Sequence, residues 1–229
     1  MPFRSFRPLA LLLVPLAGLL APLLAPLNAH AHPHVWIDTR TTARFGPDRH
    51  ITALDVRWHF DEIYGAYATE GLDVDGDGHY AAEELAPLAA ENVAQLREWG
   101  YFTVLKADGA RIGLGPVSQY AMTYEKGRLT LAMTLPLARP VDPRRSSVTF
   151  SSFDPSFYIE LVPAKEDAVT LEGAGTGDCT AHLERFDADQ PAFVPDAVAD
   201  AAELDPADPE SGVGARFAEW ITISCSGQS

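Results

Sequence analysis

The sequence predicts an α+β chain, a mainly antiparallel β sandwich or open barrel with one EF-hand-like helix-loop-helix unit inserted between strands. Three observations lead there. Short β-prone runs bounded by Gly, Pro and Asp turns recur through most of the chain. One stretch, 60–99, switches to helical periodicity. An acidic loop of fixed spacing divides that stretch into two helices. With 229 residues, 47% hydrophobic and 21% charged, the chain has enough apolar material for one core and too little charge for disorder.

The elements follow in order. Val35–Phe45 and Ile51–Phe60 flank Gly46-Pro47-Asp48 and read as a hairpin. Phe60, Ile63, Tyr64 and Tyr67 fall at i, i+3, i+4 and i+7, which predicts four large side chains on one buried helical face. A second helix is expected over 81–99, with Leu85, Leu88, Ala89, Val93 and Leu96 as its apolar positions. Pro87 should kink that helix or mark a late start. Extended runs are then expected at 101–106, 117–125, 128–135, 147–151, 157–162 and 168–172, with turns such as Asp108-Gly109 and Lys126-Gly127 between them. The segment 187–212 is rich in acids, alanine and proline, and reads as an exposed, partly ordered acidic loop.

Residues 1–31 read as a signal peptide. Arg4 and Arg7 precede an apolar run over 8–27, and Ala29 and Ala31 stand where a signal peptidase cuts. Pro8, Pro15, Pro22 and Pro26 argue against an uncleaved anchor, and nothing later in the chain is long and apolar enough to span a bilayer. The remainder, 32–229, is expected to form a single β-rich domain. Cys179 and Cys225 are the two cysteines, and in an oxidising compartment their default state is a disulfide. Against 17 Lys and Arg stand 32 Asp and Glu, a formal charge of -15. That surface repels nucleic-acid phosphates and favours cations as partners.

The most specific motif is Asp73-Val74-Asp75-Gly76-Asp77-Gly78-His79-Tyr80-Ala81-Ala82-Glu83-Glu84, which fits D-x-D-x-D-G-x5-E and resembles an EF-hand calcium loop. Calcium takes six to eight hard oxygens. The spacing offers the carboxylates of Asp73, Asp75 and Asp77, the backbone carbonyl of His79, and a bidentate Glu84. Ala81 has no side-chain oxygen at position 9, leaving that coordination to water. No second such loop occurs, so a single structural site of modest affinity, on the order of 10⁻⁴ to 10⁻³ M, is expected rather than a paired sensor.

Nitrogen donors cluster elsewhere. Three of the seven histidines, His30, His32 and His34, alternate at the expected cleavage site. Imidazole suits nickel, cobalt, zinc and copper, and a new terminal amine adds another nitrogen. Cleavage after Ala31 would leave His32 first, with His34 two residues on. Cleavage after Ala29 would leave His30-Ala31-His32, whose backbone nitrogens could complete a square-planar site, which Pro33 blocks in the other case. On an extended strand His32 and His34 share one face, with Asp38 in phase. His50 and His59 read as solvent-facing and packing groups, and His182 beside Cys179 as an undecided further ligand.

The segments "AHAHPHVWID" and "WHFDEIYG", the acidic loop and "ENVAQLREWGYFTVL" together resemble an uncharacterised bacterial periplasmic family. It is labelled a domain of unknown function and often described as the periplasmic component of a transport system. The likeness covers most of the chain after the signal. Its genes commonly neighbour nickel and cobalt permeases, which implies transition-metal handling outside the inner membrane and a permease as partner. His32, His34, the Trp58 to Glu62 segment and the loop ligands carry over. The function so implied is a calcium-stabilised, metal-binding accessory protein of the periplasm. Two other classes remain open: an exported copper enzyme using the terminal histidines, and an envelope interaction module stabilised by calcium alone. No G-x-S-x-G, H-E-x-x-H or paired catalytic carboxylates support hydrolysis.

Overall fold

The structure is a computed structural model that describes residues 34–186 and 204–226. The expected signal peptide, His30, His32 and most of the acidic segment lie outside the described residues.

β1 (Val35–Phe45) and β2 (Ile51–Phe60) form the antiparallel hairpin, in register from Ile37 opposite Phe60 to Arg44 opposite Ala53. Period-two alternation sends Val35, Ile37, Thr39, Thr41, Ala43 and Phe45 inward. The chain then makes α1 (Glu62–Ala68) and α2 (Ala82–Glu98), followed by β3 (Thr103–Ala107), β4 (Ala110–Ile112), β5 (Tyr120–Glu125) and β6 (Arg128–Val141). After them come β7 (Val148–Ser152), β8 (Ile159–Pro163), β9 (Val169–Gly173), β10 (Cys179–Glu184) and β11 (Trp220–Cys225). One sheet runs β5-β6-β2-β1-β8, and β9 continues β8 along the same edge of β1; the other runs β10-β11-β7-β3-β4. β8 and β9 lie parallel to β1, and all other strand pairings among the described residues are antiparallel.

This is the expected α+β architecture, two sandwich-like sheets with no closed barrel among the described residues. Trp58, Leu131 and Leu135 from the first sheet and Leu105, Phe150 and Ile223 from the second are fully buried in one apolar cluster. Each such side chain contributes about 1.5–3 kcal/mol by leaving water. Both helices pack at the β5–β6 end of the first sheet, α2 against β5 and α1 against β6.

α2 buries Leu85, Ala89 and Val93, with Leu88 and Leu96 packed partly against the core. It starts at Ala82 and runs through Pro87, so the proline does not mark its start. α1 departs from the expected face. Phe60 ends β2, and its ring stacks on Tyr64 with centroids 4.8 Å apart, but Ile63 is 83% and Tyr67 76% exposed. The buried residue of α1 is Gly65, where an added Cβ would come within 3.3 Å of the Leu129 backbone. The close approach to β6 thus turns the helix so that its large residues point out.

Two strand limits also move. The expected run from 101 begins at Thr103, because Gly100, Tyr101 and Phe102 all have positive φ and form a tight turn. β6 continues past Leu135 and through Pro136, opposite a register shift in β2 between Ile51 and Ala53; irregular pairing of this kind tolerates a proline that a regular ladder would not. The cysteines stand directly opposite each other on β10 and β11 and are joined as a disulfide with a sequence separation of 46. Closing that loop is worth roughly 4 kcal/mol in the chain-entropy account. The described end of the acidic segment is tied to the second sheet: Lys106 pairs with Glu210 and lies 4.6 Å over the Trp220 ring, while Arg111 donates to the Ala207 carbonyl at 2.7 Å.

Candidate metal-binding loop

The 73–84 loop is anchored at both ends and exposed between them. Leu72 packs against the core, and Tyr80 meets Tyr124 of β5 edge-on at 4.8 Å. Asp61 caps α1 through Oδ1, which accepts from Tyr64 N at 2.9 Å, and its Oδ2 accepts from Trp36 N at 3.0 Å. One carboxylate therefore fixes the first helix to β1.

Within the loop the backbone donors converge on the acids. Asp73 Oδ1 accepts from Gly76 N at 2.8 Å and Asp77 N at 3.1 Å, and its Oδ2 accepts from Gly78 N at 3.0 Å. Asp75 Oδ1 accepts from Asp77 N at 3.2 Å. Glu84, in the first turn of α2, accepts from Val74 N at 2.7 Å and from Ala81 N at 2.8 Å. Gly76 and Gly78 have φ +74 and +81, so the loop makes its left-handed bends where the absence of a Cβ removes the strain.

These contacts turn the loop inward. Asp73, Asp75 and Glu84 each offer a carboxylate oxygen within 4.8 Å of the others. Asp77 is not in that group; its Oδ1 instead accepts from His79 N at 2.7 Å. The His79 ring is exposed. Neutral amide donors orient the carboxylates without cancelling their charge, so the cluster repels itself unless a cation sits among them. Its donor set is all oxygen, the chemistry of a hard divalent ion.

The profile of a family described as "Protein of unknown function (DUF1007)" matches residues 17–225. The chain belongs to the DUF1007 family. A relative from Haemophilus influenzae, described as an uncharacterized protein, is 23% identical over 210 residues, covering 91% of this chain and 98% of its own length.

In this DUF1007 chain the histidines disperse. His34 is the one member of the terminal cluster among the described residues. It is exposed at the start of β1, its N donates to the Tyr158 carbonyl at 2.9 Å, and its ring lies 4.8 Å from that of Tyr158. Asp38 shares its face, but four residues along a strand is about 13 Å, and the Asp38 carboxylate accepts from Arg128 Nη2 at 3.0 Å. His34 and Asp38 are thus too far apart to share one ion. His50 pairs with Asp48 at 3.1 Å. His59 shares a hydrogen bond with Thr130 at 2.9 Å, and burial lowers its pKa, with Arg40 and Arg128 acting in the same direction. His182 is exposed on β10, and the disulfide leaves no thiolate beside it. No described helix is long and apolar enough to cross a membrane.

Proposed function

We propose that this chain is an exported accessory protein of the periplasm, stabilised by calcium at Asp73, Asp75, Asp77, the His79 carbonyl and Glu84. At its histidine-rich terminus it holds a transition-metal ion, nickel, cobalt, zinc or copper, for an inner-membrane permease. The observation that carries this reading is the all-oxygen convergence of Asp73, Asp75 and Glu84 in a loop whose amides already point at those carboxylates. Such a site selects a hard cation and leaves softer ions to nitrogen ligands. Those ligands are His32 and His34, with His30 joining if cleavage follows Ala29. His34 is itself exposed and tethered through its backbone to Tyr158, just before β8, which supports its availability as a ligand. The disulfide is compatible with export.

Titration calorimetry with nickel, zinc and copper tests it. Wild type, His32→Ala, His34→Ala and a version with one extra residue ahead of the mature terminus are compared in saturating calcium. The histidine variants should bind at least tenfold more weakly, and equal affinities across all four would refute the terminal site. Loss in the extended version alone would make the free amine the decisive ligand.

A further inference from the structure

A second site lies away from the loop and the terminus, where three separated segments meet. It is built on Asp154, which is 6% exposed. Its Oδ1 accepts from Ser156 N at 2.9 Å and its Oδ2 from Ile159 N at 2.9 Å, while its backbone carbonyl accepts from Phe157 N at 2.9 Å. The turn so closed leaves Phe157 at φ +59, a left-handed conformation unusual for a bulky residue. Gly214 N donates to the Pro155 carbonyl at 3.0 Å, and a Cβ at Gly214 would overlap the Asp154 carbonyl oxygen. Close packing thereby brings Phe217 over Phe157, with rings stacked at 4.2 Å, and Phe186 tilts against Phe217 at 5.3 Å.

The result is a cavity of about 330 Å³ with Phe153, Phe157, Phe186 and Phe217 in its walls and the carboxylates of Glu160 and Glu219 beside them. Glu219 is already engaged: it accepts from Phe186 N at 3.1 Å and from Arg185 Nη1 at 3.1 Å. Glu160 has no ion-pair partner among the described residues. Burial raises its pKa, a hydrogen bond from Trp36 lowers it in part, and the charge of Glu219 raises it again.

We propose that this cavity binds an organic ammonium group carried on a short apolar stem, with the phenyl rings as its wall and Glu160 as its counter-ion. Aromatic faces attract cations, and a carboxylate without an ion-pair partner among the described residues supplies the opposite charge that such a ligand needs. An anion would meet an acidic lining of Asp154, Glu160 and Glu219. A bare metal ion would find phenyl rings and acids of which Asp154 and Glu219 are already taken by protein donors, where it needs a shell of oxygens. The volume suits a small ligand, and the net charge of -15 draws cations toward the surface. A free amine and a lysine side chain of a partner protein share this chemistry.

The test uses the calcium-loaded full chain and four probes in calorimetry: choline, pentylamine, an N-acetyl-lysine-amide peptide, and 3,3-dimethylbutanol as the uncharged shape of choline. At least one of choline, pentylamine and the lysine peptide should bind about tenfold or more tightly than the alcohol. Glu160→Gln should erase that preference while keeping the Tm, and Phe217→Leu, which leaves the carboxylate in place, should also weaken the ammonium ligand. Preference for the lysine peptide assigns the site to a partner's side chain, and preference for a free amine to a small molecule. Equal binding of alcohol and ammonium, no binding of any charged probe, or full retention of the preference in Glu160→Gln would overturn the proposal.

Discussion

Replacing Glu84 by Gln separates calcium stabilisation from ordinary packing. In the structure one Glu84 oxygen accepts from Val74 N and the other from Ala81 N. A glutamine keeps one acceptor and turns an NH₂ toward the second donor, so without calcium the cost is about one exposed hydrogen bond, roughly 1 kcal/mol. With calcium the difference is larger. At ~10 mM calcium and a Kd on the order of 10⁻⁴ to 10⁻³ M, the bound ion adds about 1.4 to 2.7 kcal/mol. For a chain of this size that raises the Tm by roughly 3–11 °C. If loss of the bidentate ligand weakens affinity about a hundredfold, the same calcium adds less than about 0.5 kcal/mol. Thermal melts followed by circular dichroism, in calcium and in chelator, read both numbers. The wild type should show the full calcium shift and Glu84→Gln less than about 2 °C. Equal calcium shifts in the two proteins would refute the assignment of Glu84, whatever their melting points in chelator.

Two further predictions concern the scaffold. Intact mass of exported protein should rise by two hydrogens on reduction, and the Tm should fall by roughly 8–16 °C if the full chain-entropy contribution is realised; two alkylatable thiols in unreduced material would contradict the disulfide. His59 has a folded pKa below its ordinary 6.5, so the folded chain binds fewer protons than the unfolded one in that window. Stability should therefore be full above about pH 6.5 and decline as pH falls through it. His59→Gln should flatten that slope in melts between about pH 5 and 7.5, and an unchanged slope would assign the acid sensitivity elsewhere.

The hairpin of β1 and β2 was legible to the residue because a period-two pattern and a turn of Gly, Pro and Asp lie side by side in the chain. β10 and β11 were not read as strands: Cys179–Glu184 and Trp220–Cys225 pair across a long acidic segment, so the partner that makes each a strand is invisible locally. Backbone placement explains the other departures. Ile63 and Tyr67 fit a buried helical face by spacing, and the close seat of Gly65 on Leu129 overrides it; Tyr101 fits a strand by composition, and the left-handed turn at 100–102 excludes it. The same contrast governs the sites. The loop carboxylates are contiguous, so their spacing declares them, whereas Phe157, Glu160, Phe217 and Glu219 come from two distant segments that only the tertiary fold brings together.

The proposed function requires one chain to carry two chemically different metals, and elemental analysis of the protein purified from the periplasm without chelator, with its mature amino terminus sequenced, measures that most directly. About one calcium and up to one nickel, cobalt, zinc or copper per chain, on a terminus beginning at His30 or His32, is the predicted result. Protein that begins at either histidine, yet takes up calcium alone even after equilibration with each transition metal at neutral pH, would contradict it.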